Sequence, residues 1–185
     1  MVVHLRDFLV RLDDAQTAFR RELSGAAPQW GHVTGSAWVI NEVGSRVVLV
    51  HHAKLNRWVQ PGGHCDGEAD VRAVARREAH EETGLIVTPL PHDLAASGCV
   101  AGGIFDVDVH PIPEYWNTPE HMHYDVRFVF TADERAAPIV SAESHAVRWV
   151  ALEEAAALSG SASIRRMIAK TRVLFAPTFA ARCSG

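Results

Sequence analysis

Cysteine is scarce in this chain and poorly spaced for a structural role. Cys65, Cys99 and Cys183 are odd in number, far apart and form no C-x-x-C pair. That argues against a disulfide framework and against a structural zinc site. Long apolar runs are missing as well. The opening stretch MVVHLRDFLVRLDD carries charges through its apolar residues, so it reads as neither a signal peptide nor a membrane anchor. No segment approaches the length needed to span a bilayer, so the expected location is the cytoplasm, without a membrane partner. Excess positive charge is absent too: 18 Lys and Arg stand against 22 Asp and Glu, a net charge of −4. This does not suit a protein held on nucleic acid by phosphate neutralisation. There is no internal repeat and no low-complexity segment.

What is present suits one folded unit. The chain has 185 residues and is 48% hydrophobic, enough for a substantial core. Leu5, Phe8, Leu9, Leu12, Phe19 and Leu23 recur at three- and four-residue steps, predicting an amphipathic helix over 4–24 that SGAAP ends. Residues 1–28 therefore read as a helical extension and 29–185 as a single globular domain. The apolar face of the extension can pack on that domain or serve a homodimer. Strands are expected at about 33–41 and 46–51, within 102–112, over 123–132 and over 146–152. Residues 55–70 read as a loop, and helices as covering about 71–83, 151–158 and 162–174. Strands and helices alternate irregularly, so the fold class is α+β, a mixed sheet flanked by helices rather than regular βαβ winding.

The helix at 71–83 carries the chemistry. Asp70 is a good N-cap and Gly84 a good stop. At about 100° per residue, Val71, Val74 and Ala75 form an apolar stripe with Glu78 and Glu82 almost in its middle and Glu81 on its flank. Carboxylates at i,i+3 and i,i+4 repel one another, and burying them is costly without compensation. A hard divalent cation such as magnesium or manganese resolves both problems. The bland alternative is a solvated acidic face, but these glutamates lie on the valine side. The preceding PGGH supplies glycines where backbone must come close to something, and loop amides near a helix N-terminus can meet an anion.

Residues 63–85 resemble the box of the Nudix hydrolase family, G-x5-E-x7-R-E-U-x-E-E-x-G-U, where U is aliphatic. Gly63, Arg77, Glu78, Ala79, Glu81, Glu82, Gly84 and Leu85 match it. One departure stands out: the first glutamate of the box falls on Ala69, with Glu68 one position early. The resemblance spans most of 33–158 and implies a Nudix-type α/β/α sandwich, MutT-like, with an added N-terminal helix. It implies a Mg2+-dependent hydrolase, Mn2+ being a substitute, that cleaves the pyrophosphate bond of a nucleoside diphosphate linked to another moiety. Carried over by position, Glu78, Glu81 and Glu82 would bind metal with the Gly62 carbonyl. Arg77 would orient the carboxylates, and Gly63 and His64 would line the substrate. Glu78 is a candidate general base, while Glu68, Glu120, His123 and Asp125 are candidates for a further ligand or base.

Other residues carry weaker readings. His51 and His52, ending a strand, read first as hydrogen-bonded structural residues and second as pocket lining, and Trp58 and Trp149 as core or pocket wall. Cys65 has no visible activating partner and is not a nucleophile. GCVAGG, downstream of the box, holds neither the proline of the ADP-ribose type nor the tyrosine of the dinucleoside-polyphosphate type. A binding or regulatory module that keeps the fold but has lost turnover is the rival class, favoured by Ala69 alone. An isopentenyl diphosphate isomerase relative would need a Cys–Glu pair on opposite walls, and Cys65 lies in the wrong type of loop.

Overall fold

The computed structural model describes residues 31–90, 103–114 and 118–176. The predicted helix at 4–24, and with it the extension at 1–28, lies outside the described residues, as do Cys99 and Cys183. The described chain runs β1 (Gly31–Ile40), β2 (Arg46–His52), β3 (Arg57–Val59), β4 (Gly62–His64), α1 (Val71–Thr83), β5 (Thr88–Pro89), β6 (Asp106–Ile112), β7 (His121–Thr131), β8 (Ser144–Ala151), α2 (Leu152–Ser159) and α3 (Ala162–Leu174). All eight strands join one mixed sheet. β1 pairs in parallel with β7 along its whole length, from Gly31 opposite Met122 to Ile40 opposite Thr131. The other pairings are antiparallel: β2 and β4 on β1, β3 and β8 on β2, and β5 and β6 on β7.

Strand alternation sends side chains to opposite faces, and each face has its own core. Val33, Ala37 and Val39 of β1 and Val126, Phe128 and Phe130 of β7 pack with Val74, Ala75 and Ala79 of α1. Trp38, Ile40, Leu49 and Val129 pack on the other face with Leu152, Ala155, Ile164, Met167 and Leu174 of α2 and α3. The result is the α/β/α sandwich. The Trp38 indole N–H donates to Thr171 Oγ1 at 2.9 Å, which satisfies the polar tip of a fully buried ring. A charged layer also ties α3 to the sheet: buried Asp106 accepts from Arg166 and Lys170, both at 2.7 Å, and faces Arg127 at 3.5 Å.

The caps of α1 are those the sequence predicts. Asp70 accepts from the backbone N–H groups of Arg72 and Ala73 at 3.1 and 3.0 Å, and Gly84 closes the helix at φ 68°. The helix lies hard against β1. A methyl group on Gly35 would sit 2.7 Å from the Val71 carbonyl oxygen. One expectation needs correcting: the loop at 55–70 contains β3 and β4. At two or three residues apiece, β3, β4 and β5 are too short to show a period.

Candidate active site

β4 runs antiparallel to β1, with Gly63 opposite Gly35 and His64 opposite Thr34. It brings the PGGH backbone across the C-terminal half of α1. The Gly62 N–H donates to Glu82 at 3.2 Å. A methyl group on Gly63 would lie 2.5 Å from the Glu78 carboxyl carbon, so Gly63 is where the backbone must approach that carboxylate. Gly62, Gly63, Glu78 and Glu82 therefore meet on the α1 side of the sheet.

The three glutamates are graded in exposure. Glu82 is 6% exposed, while the side chains of Glu78 and Glu81 are 15% and 54% exposed. Arg77 spans two of them, reaching Glu78 and Glu81 at 2.9 Å each, the orienting role that a planar guanidinium suits. Among the described residues Glu82 has no ion pair. Burial pushes its carboxyl up to about 7, the Gly62 N–H opposing and Glu78, Glu143 and Glu81 adding repulsion. Glu78 is raised as well, chiefly by burial, with Arg77 opposing. A buried carboxylate repelled by neighbouring carboxylates fits a hard divalent cation.

Glu143 was not anticipated. It sits exposed just before β8, and its backbone carbonyl accepts from Ala53 N–H at 2.9 Å. Its charge repels Glu78 and Glu82 and favours protonation of His64 and His52. No local pattern could reveal it, because the pairing of β2 with β8 alone delivers it to this rim.

The remaining candidates are placed elsewhere. Glu68 is exposed and turns onto the Asp70 N–H at 3.0 Å. Glu120 is exposed at the start of β7. Asp125 is buried, and its oxygens accept from Thr34, Ser36, Gln60 and Arg127 at 3.1, 2.7, 3.2 and 2.7 Å. Alternation along β7 puts Asp125 and His123 on the face opposite Val126 and Phe128, away from α1. His64 also faces away from α1, alternating with Gly63. The structure thus separates the two residues expected to line the substrate. His51 stacks on Trp58 with ring centroids 5.0 Å apart, and the Trp149 indole donates to the Ala136 carbonyl, both structural contacts. Cys65 is buried and its thiol is pushed up to about 11, mainly by burial, so it is not a nucleophile near neutrality.

The NUDIX domain family profile matches residues 31–171. No curated protein sequence matches the chain. Among solved structures, an Ap4A hydrolase from C. elegans in a binary complex superposes with a TM-score of 0.58 at 17% identity, covering 78% of this chain and 97% of that one. A MutT protein from Methanosarcina mazei Go1 gives 0.55 at 18% identity, covering 80% and 97%. A NUDIX-family hydrolase from Clostridium perfringens gives 0.53 at 23% identity, covering 77% and 95%. At these identities the likeness shows the fold. With the profile spanning most of the chain and the glutamate platform in place, the chain belongs to the Nudix family of pyrophosphohydrolases.

Proposed function

We propose that the chain hydrolyses the pyrophosphate bond of a nucleoside diphosphate linked to another moiety, in a reaction dependent on Mg2+ or Mn2+. The observation that carries this reading is Glu82, a buried carboxylate raised to about 7 and held by the Gly62 N–H beside Glu78. Glu78, Glu81 and Glu82, with the Gly62 carbonyl, would hold the metal. A divalent ion held there would supply the charge that draws the substrate anion to an acidic site and offsets charge developing on the phosphate oxygens. Arg77 keeps Glu78 and Glu81 in register. Water adds to phosphorus, the bridging P–O bond breaks, and each product leaves with a phosphate. Asp125 is engaged by four donors, so we assign the proton of the attacking water to Glu143, an exposed carboxylate at the rim of the cluster.

The test is a Mg2+-dependent screen over nucleoside triphosphates, nucleotide sugars, dinucleoside polyphosphates and ADP-ribose, with wild type, Glu82→Gln and Glu143→Gln. Turnover should require the metal and collapse in both variants. Turnover unchanged by Glu82→Gln would sink the reading. Nucleotide binding without turnover in the wild type would point instead to a binding module.

A further inference from the structure

The face of the sheet opposite α1 carries a second group of metal-ligating side chains. The parallel register of β1 and β7 sets His32 beside His123, and the antiparallel register of β6 sets His110 on the other side of His123. His121 is two residues earlier on β7 and so shares the face. His32, His121 and His123 each bring a ring nitrogen within 4.8 Å of the others. Their ring centroids lie 4.6 to 5.2 Å apart, and His64 from β4 approaches His32 at 4.5 Å.

Imidazoles also pack together as ordinary aromatic rings, and two further observations favour a cation. First, His121 Nδ1 lies 2.8 Å from the Pro119 carbonyl oxygen. Donation there fixes the tautomer and leaves the lone pair on Nε2, which is how outer partners orient metal-ligating histidines. Second, His123 Nε2 is buried without a hydrogen-bond partner among the described residues, an uncommon condition for a polar atom.

We propose that His32, His121 and His123 bind one divalent transition-metal ion of the zinc class, at a site separate from the glutamate platform. Nitrogen donors suit Zn2+, Co2+, Ni2+ or Cu2+, whereas Mg2+ prefers the oxygen donors across the sheet. Three histidines leave one position of a tetrahedral site open. His64 lies against His32 and His123, with ring centroids 4.5 and 5.3 Å away. The ion would tie β1 to β7 at the end of the sheet where both begin.

The experiment uses the untagged full chain, stripped of metal and dialysed against zinc with excess Mg2+. Bound zinc is counted by mass spectrometry in wild type, Glu82→Gln and a His121→Ala/His123→Ala double variant. Wild type and Glu82→Gln should each hold one equivalent. The double variant should lose more than about 100-fold in affinity, beyond the loss usual for an outer partner. Retention by the double variant, or loss in Glu82→Gln, overturns the proposal. X-ray absorption on zinc-loaded wild type needs no variant. It should show imidazole nitrogens at about 2.0 Å, and an oxygen shell without imidazole also overturns the assignment. None of these readouts depends on hydrolase activity.

Discussion

Replacing Glu82 by glutamine removes a charge while keeping the shape and the acceptor for the Gly62 N–H. Without metal, the folded protein holds the Glu82 carboxyl at about 7 against an ordinary value of 4.5. The folded state therefore keeps a proton that the unfolded state gives up. Stability from this group falls as pH rises across that window, and is level below and above it. Near pH 8 the ionised, buried carboxylate costs about 3 kcal/mol relative to its neutral form, and near pH 5 under about 1 kcal/mol. Glutamine stands in for the neutral form at every pH. In EDTA, Glu82→Gln should melt roughly 6–12 °C above wild type near pH 8, and the gap should close towards pH 5.

The assay is paired thermal melts, with and without Mg2+. Subtracting variant from wild type matters here, because His32 and His123 have lowered pKa values and act in the opposite sense. Their stabilisation is present above about pH 6.5 and is lost as pH falls towards their folded values. Both proteins share that trend, so the difference isolates Glu82. Mg2+ should raise the wild-type midpoint more near pH 8 than near pH 6, since metal and proton compete for one carboxylate, and should raise the variant less. A variant no more stable than wild type near pH 8 in EDTA would refute the reasoning. So would a gap that does not change with pH.

Three further substitutions separate site from scaffold. In Gly63→Ala the new methyl group meets only the flexible end of Glu78. The melting temperature should move by a few degrees at most, while hydrolysis falls at least tenfold as Glu78 is turned aside. Gly35→Ala meets the Val71 backbone carbonyl instead, so α1 must lift from the sheet and both stability and activity should drop. Asp106→Asn leaves Arg166, Lys170 and the buried Arg127 short of a counter-charge. It should cost about 3 kcal/mol or more, read as a lower urea midpoint with little change in KM.

How much the sequence revealed depended on distance along the chain. Helix α1 was readable in full, since its caps at Asp70 and Gly84, its apolar stripe and its three glutamates are all set by neighbours within four residues. Glu78 and Glu82, in the middle of the stripe, are more buried than Glu81 on its flank. The long strands were readable from alternation. The charged layer around Asp106, the arrival of Glu143 at the glutamates and the meeting of His32 with His123 were not. Each depends on a register between segments far apart in sequence, and no local period encodes that register.

The short strand β4 shows what a missed element hides. Read as loop, Gly63 and His64 are consecutive residues beside an acidic helix, and both look like substrate contacts. As a strand paired to β1, they must point to opposite faces. Gly63 then makes room for Glu78 on one side, and His64 joins His32 on the other. The same alternation runs through β7 and carries His123 and Asp125 away from the glutamates together. One sheet thereby keeps oxygen donors on its α1 side and a group of nitrogen donors across from them. Metal preference follows donor type, so the two faces favour different ions: Mg2+ or Mn2+ on the carboxylates, and a zinc-class ion on the imidazoles.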